Sequence, residues 1–314
     1  MNNKLAIIVP CYNEEEIIRY CIEQLTMLLS TMIDDGLISI NSQICFVNDG
    51  SKDNTENIIK KYCNTNKRLV FINLNKNYGQ QYAMLAGLYT VDADMYVTID
   101  ADLQDDYTLI TEMVKKYLSG FEIVYGCRKK RDTDSFYKRN TALLFYRFMN
   151  LIGVKIRPNH SEFRLLSKRA VNMLKEYKEK IIFLRGIIQN LQLKSCDVYY
   201  DRLERVAGKT KYSFGKLFGL AWTAITSYSF LPLRLITFTG VTISLISTLL
   251  LLYNFLIYLT KHKIISYWIY IAIIMAFFSG LTIISLGIIG EYLSKIFIEV
   301  KGRPLYQIEE TINL

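Results

Sequence analysis

The first half of the chain alternates between two hydrophobic patterns. Short unbroken apolar runs stand at 5–9, 44–47, 69–72 and 95–99, and a fifth follows at 122–125. Apolar and polar positions do not alternate within them, so they predict strands buried on both faces. Between the runs, apolar residues recur at helical spacing. Ile17, Ile18, Cys21, Leu25, Leu28, Leu29 and Met32 share one stripe, and further helices are expected at 53–62, 80–88 and 109–118. Strand and helix in alternation predict an α/β domain, a Rossmann-like, mostly parallel sheet with helices on both faces.

The second half changes character. An irregular stretch rich in Arg, Lys and Tyr occupies 127–212, and two charge-free apolar segments follow at 235–260 and 264–290. Each exceeds the ~20 residues needed to cross a hydrocarbon core, so a two-helix transmembrane hairpin is expected. The linker Lys261-His262-Lys263 is short, whereas Lys209, Lys211, Lys216, Arg234, Lys295, Lys301 and Arg303 flank the open ends. That bias places the N-terminal domain and the tail on the cytoplasmic side of the inner membrane. Phe214, Leu217, Phe218, Ala221, Trp222 and Ile225, interleaved with polar and basic residues before Pro232, predict interfacial amphipathic helices. The expected division is a catalytic domain at 1–212, juxtamembrane helices at 213–233, two spans at 234–294 and a cytoplasmic tail at 295–314. A pair of buried core helices is the alternative to the spans.

Composition sharpens this picture in three ways. Hydrophobic residues make up 51% of the 314, with the excess after residue 213. The net charge of +9 suits nucleic acid, an anionic membrane surface or a phosphate-rich substrate, and the apolar C-terminal segments favour the last two. Cysteines at 11, 21, 45, 63, 127 and 196 form no C-x-x-C pair and read as reduced, mostly buried thiols; two histidines exclude a His-rich metal site. The first apolar run begins at Leu5, and no signal-peptide pattern precedes it.

Polar clusters follow the strands, at the sheet edge where open α/β sheets bind ligands. They are Pro10-Cys11-Tyr12-Asn13-Glu14, Asn48-Asp49-Gly50-Ser51-Lys52-Asp53, Asp100-Ala101-Asp102-Leu103-Gln104 and Gly126-Cys127-Arg128. Asp100 and Asp102, two apart at a strand end, point the same way and with the amide oxygen of Gln104 offer hard ligands for Mg²⁺ or Mn²⁺ beside a diphosphate. A helix cap with an acidic first turn is the alternative. Asp49 is read either as an acceptor for a base or ribose or as a turn aspartate. Neither G-x-x-x-x-G-K nor G-x-G-x-x-G occurs, so a nucleotide is not held in those ways.

With these clusters in view the chain resembles, over almost its whole length, the family 2 glycosyltransferases of GT-A fold, in the branch that acts on polyprenol phosphates. The resemblance is carried by Pro10-x-Tyr12-Asn13-Glu14, Asp49-Gly50-Ser51, Asn77-x-Gly79, Asp100-Ala101-Asp102-Leu103-Gln104 and Gly126-x-Arg128. It continues in Glu162-Phe163-Arg164-Leu165, Arg185-Gly186, Arg205-Val206-Ala207-Gly208-x-x-Lys211-Tyr212, Gly290-Glu291-Tyr292 and Arg303-Pro304-x-Tyr306. There are three departures from the family pattern: Asn48 and Glu162 stand where Asp is usual, and Asp106-Tyr107 replaces prolines.

The resemblance implies an inverting hexosyltransferase that moves a sugar, glucose from UDP-glucose first among candidates, onto polyprenyl (undecaprenyl) phosphate for cell-envelope glycans. It implies Pro10, Tyr12, Glu14, Val47, Asp49, Ala101, Asp102, Arg128, Arg205 and Lys211 around the donor. Metal binding falls to Asp100, Asp102 and Gln104, and the acceptor phosphate to Arg139 and Arg164. Asp100, Asp102, Glu162 and Arg128 form the catalytic set. Expected partners are the nucleotide-diphosphate sugar, the polyprenyl phosphate and membrane lipids, with no nucleic acid; Ala276 and Gly280 permit a homo-oligomer. A polysaccharide synthase of the same fold and an inactive membrane scaffold are the rivals.

Overall fold

The computed structural model describes residues 3–128, 160–180, 182, 184–201 and 267–314, with isolated positions at 238, 239, 242 and 249. They divide between two compact units, with 303–314 in the same unit as the N-terminal domain and the long C-terminal helix in the other.

In the first unit the expected alternation is present: β1 (Leu5–Cys11), α1 (Ile18–Asp34), β2 (Gln43–Asn48), α2 (Thr55–Thr65), β3 (Leu69–Leu74), α3 (Gln80–Thr90), β4 (Met95–Thr98), α4 (Ile110–Leu118) and β5 (Ile123–Arg128). It continues with β6 (His160–Ser167), α5 (Lys168–Glu176), α6 (Leu184–Asn190) and β7 (Ser195–Tyr200), and closes with β8 (Ile308–Ile312). Among the described residues the strands form one mixed sheet in the order β7-β5-β6-β4-β1-β2-β3-β8. β1 runs parallel to β2 and β4, β2 to β3, and β5 to β7, while β6 and β8 are antiparallel to their neighbours.

Burial explains the unbroken apolar runs. On β1, Leu5, Ile7 and Val9 pack with α1, α2 and α4 on one face, while Ala6 and Ile8 pack with α3, α5 and α6 on the other. Successive strand side chains point to opposite faces, so a strand covered by helices on both must be apolar throughout. Helix α3 lies so close to the sheet that a Cβ on Gly87 would stand 2.4 Å from Ile8 Cγ2.

Two expectations change. The stretch read as irregular contains β6, which inserts antiparallel between β4 and β5, and β7. The stretch read only as a tail contains β8, whose Phe71–Ile312, Ile72–Thr311 and Asn73–Glu310 pairs cover the open edge of β3. Asn313 fastens that strand by donating from Nδ2 to the carbonyls of Cys63 (2.8 Å) and Leu69 (2.9 Å).

The second unit contributes α7 (Tyr267–Lys301), of 35 residues. Within it Leu281–Lys301 has a mean hydropathy of 1.6, long and apolar enough to cross a membrane by length and composition. Its apolar side chains are exposed, Ile283 at 69% and Phe297 at 63%. Thr282 and Ser285 donate their hydroxyls to the carbonyls of Phe278 and Leu281, so these polar groups are satisfied within the helix. The span expected at 235–260 and the amphipathic helices at 213–233 lie almost wholly outside the described residues.

Candidate active site

The parallel strands β1, β2, β4 and β5 end at one edge, and β6, running the other way, begins there. Pro10 and Val47 are partners across β1 and β2, as are Cys11 and Asn48, so the first two polar clusters start side by side. Beyond the strands they are stitched together. Asn13 N–H donates to Ser51 Oγ (3.0 Å), Lys52 N–H to Asn13 Oδ1 (2.7 Å), Glu14 N–H to Thr55 Oγ1 (2.8 Å) and Glu15 N–H to Asp53 Oδ2 (3.1 Å). Asn13 holds a left-handed φ of 52° to make this turn. Tyr12 and Glu14 sit, partly buried, on the first of these loops.

Asp49 is buried and both its oxygens accept backbone protons, Oδ1 from Tyr78 (2.7 Å) and Oδ2 from Gly79 (2.8 Å). Burial raises its carboxyl while those two amides pull it down. Of the two sequence readings, its observed contacts are those of a loop brace: it ties β2 to the turn that launches α3. Gly50 follows at φ +65°, and a Cβ there would stand 2.5 Å from the Lys76 carbonyl carbon, so the same turn requires glycine.

The second cluster follows β4. Asp100 accepts from Gln80 Nε2 at 2.5 Å. Burial, then the carboxylates of Asp105, Asp102 and Glu162, raise its carboxyl from 3.8 to about 7, with Arg185 pulling the other way. Ala101 is buried, Asp102 is half-buried, and Leu103 takes a left-handed φ of 44° between Asp102 and the buried Gln104. The β4–β6 register, which pairs Thr98 with Arg164, sets Glu162 opposite Asp100 when continued by two residues.

Such crowding of carboxylates favours a cation. Among the described residues no three His, Cys, Asp or Glu side chains gather into a complete metal cage. Asp100 and Asp102 with the Gln104 amide instead fit a Mg²⁺- or Mn²⁺-type site, which takes one or two protein carboxylates and completes its shell with substrate phosphate and water.

The cations near these carboxylates are placed as follows. Arg128 Nη2 lies 3.0 Å from Asp105 Oδ1, which also accepts from Tyr200 Oη at 2.5 Å. Arg164 is 1% exposed and pairs through Nη2 with Glu162 Oε2, deep in the sheet rather than at the surface where an acceptor phosphate would arrive. The half-exposed cation at this place is Arg185 on α6, whose Nε donates to Glu162 Oε1 at 2.6 Å. Sequence reasoning gave Arg185 no role, although it stands in a matched motif. Arg139, Arg205 and Lys211 lie outside the described residues. A cleft of about 360 Å³, lined in part by Ser51, Lys52, Asn73, Lys76 and Glu309, runs on the β3–β8 side and does not reach the carboxylates.

The model of the family described as Glycosyl transferase family 2 matches residues 6–174, which include every strand-end cluster described above. The chain belongs to that family. It is a glycosyltransferase. It is 44% identical over 307 residues to an uncharacterized glycosyltransferase, YkoT, of Bacillus subtilis (strain 168), covering 97% of this chain and 91% of the relative. It is 34% identical over 310 residues to the SfII prophage-derived bactoprenol glucosyl transferase of Shigella flexneri, covering 98% of each. Among solved structures it is similar to glucosyl-3-phosphoglycerate synthase from Mycobacterium tuberculosis, at 16% identity and a TM-score of 0.46 over 71% of this chain and 76% of that one. The sheet of this glycosyltransferase, mixed and mostly parallel, is consistent with a GT-A fold.

Proposed function

We propose that this family 2 glycosyltransferase moves a hexose, glucose from UDP-glucose first among candidates, onto polyprenyl phosphate with inversion, at the cytoplasmic face of the inner membrane. The observation that carries this reading is the carboxylate group at the strand edge, where burial and then the neighbouring Asp105, Asp102 and Glu162 raise the Asp100 carboxyl to about 7. An edge so charged is suited to Mg²⁺ or Mn²⁺ and a diphosphate leaving group. The bactoprenol glucosyl transferases that match the chain nearly end to end support the acceptor and the sugar.

When bound, the metal neutralises the departing diphosphate. The chain's own residues do the rest. The stitched loops carrying Pro10, Tyr12, Glu14 and Asp49 form the nucleoside side of the site, with Val47 and Ala101 beneath. Asp100 and Asp102, with Gln104, hold the metal side. Glu162, fixed by Arg164 and Arg185, orients the cationic wall that faces the acceptor. A phosphate monoester with a second pKa near ~6 is already largely a dianion at neutral pH, so it needs positioning more than a general base. Arg139, Arg205 and Lys211 complete the phosphate contacts in this reading. Helix α7 and the segment at 235–260 anchor the catalytic unit as a two-span hairpin, in contact with membrane lipids.

The test is transfer of labelled hexose from a panel of nucleotide sugars into a lipid extract containing undecaprenyl phosphate. A lipid-linked monosaccharide supports the proposal, a polymer indicates a synthase, and no product indicates a scaffold.

A further inference from the structure

A chain of buried amides runs from the last strand to the donor-side loops. Glu309 Oε2 accepts from Asn73 Nδ2 at 3.2 Å, Asn73 Oδ1 accepts from Asn48 Nδ2 at 2.8 Å, and Asn48 Oδ1 accepts from the Ser51 N–H at 3.2 Å. Ser51 Oγ in turn accepts from the Asn13 N–H at 3.0 Å. Asn48 is 0% exposed, so an amide facing the wrong way there has little water to turn to, while Asn73 (6%) and the exposed Glu309 border the cleft beside Ser51.

The two ends of this chain are not free to choose. The Ser51 N–H can only donate, and an ionised Glu309 can only accept. Each intervening amide has one donating and one accepting end, so the ends together allow a single orientation of Asn73 and Asn48. The backbone shows how Glu309 comes to point there. The β3–β8 register pairs Asn73 with Glu310 and Leu74 with Ile308, so Glu309 is the extra residue of a bulge. Bulges re-aim a side chain out of the ladder, and this one directs Glu309 at Asn73.

We propose that Glu309 is a positioning residue for the donor site: from the β8 bulge it sets the orientation of Asn73 and Asn48 and so holds the 48–52 turn in shape. This rests on the reading of that turn as the nucleoside side of the site. It also calls for an amide at 48. A carboxylate at 48 would still accept from Ser51 but could not donate to Asn73. Asn73 would have to turn over, and its carbonyl oxygen would then face the Glu309 carboxylate.

The experiment is a rescue. Full-length protein carrying Asn48→Asp, Glu309→Gln or both is assayed with UDP-glucose and undecaprenyl phosphate, and backbone hydrogen exchange is followed at 49–54. Asn48→Asp alone is expected to raise the donor KM about tenfold, with kcat changed less, and to lose exchange protection in the turn. Adding Glu309→Gln supplies an amide that donates to the turned Asn73, so the chain runs with opposite polarity and both readouts return to within about threefold of wild type. A double variant no better than Asn48→Asp overturns the proposal, as does an Asn48→Asp protein with unchanged KM and protection. If Asn48→Asp does not fold, folding of the double variant supports the proposal. If neither folds, Glu309→Ala decides, since unchanged protection at Ser51 overturns it. Absence of transfer by the wild type sinks the functional reading alone, because hydrogen exchange still reports on the amide chain.

Discussion

Arg185 Nε stands 2.6 Å from Glu162 Oε1, while Arg164 holds the other oxygen of the same carboxylate. A carboxylate held between two guanidiniums is a poor proton acceptor. Glu162→Gln is therefore expected to lose less activity than Asp102→Asn and to show no recovery at alkaline pH. pH–rate profiles at saturating acceptor check this; equal losses with alkaline rescue would make Glu162 a general base.

Arg164 gives a stability counterpart. Removing one partner of a buried ion pair costs roughly 3–5 kcal/mol, so Glu162→Ala should lower the unfolding midpoint far more than Arg185→Ala, whose side chain is 37% exposed. Denaturant titration of the two variants tests the difference.

Metal dependence follows from the carboxylate group. Asp102→Asn should slow transfer on the order of 10²-fold or more, and EDTA should abolish wild-type activity until Mg²⁺ or Mn²⁺ is returned. Full turnover in EDTA would remove the metal from the reading.

The raised Asp100 carboxyl sets a pH dependence. Its value is about 7 in the fold against 3.8 for the free group, so between those values the folded chain binds the extra proton. Stability of the metal-free protein should therefore fall as pH rises through that window, and Mn²⁺ should bind more tightly over the same rise as the proton leaves. Melting curves with and without Mn²⁺ from about pH 5 to 8 measure both slopes. Asp105→Asn removes the largest neighbouring charge and should move both transitions to lower pH.

The tail is part of the catalytic sheet, which alters what a soluble fragment must contain. A chain cut near residue 230 loses β8 with the apolar segments, exposing the β3 edge and removing Glu309 from Asn73. Such a fragment is expected to aggregate, whereas one that joins the N-terminal domain to 303–314 by a flexible linker should remain monodisperse. Light scattering of the two distinguishes them.

The sequence announced the first five strands because helices cover both faces and every position had to be apolar. It concealed β6 because two charged residues, Glu162 and Arg164, occupy buried positions, where they pair with one another. It concealed β8 because that edge strand, Ile-Glu-Glu-Thr-Ile, is exposed along nearly all its length and is held by backbone pairing instead of burial. The same limit applied within the site. Asp49 and the Asp100 group were legible as strand-end clusters, but that Asp49 spends both oxygens on the amides of Tyr78 and Gly79, and that Arg128 answers to Asp105, depend on residues distant in sequence.

The order of synthesis gives the last strand a further significance. Asn73 and Glu309 are 236 residues apart. At the usual pace of translation, on the order of 10–50 s elapses between making the two, and throughout that interval the β3 edge has no neighbour from its own chain. Helix α7 is made before β8, so its hydrophobic stretch is complete while the nascent sheet still lacks the strand that covers β3. Closure of the sheet edge thus follows synthesis of the apolar helix.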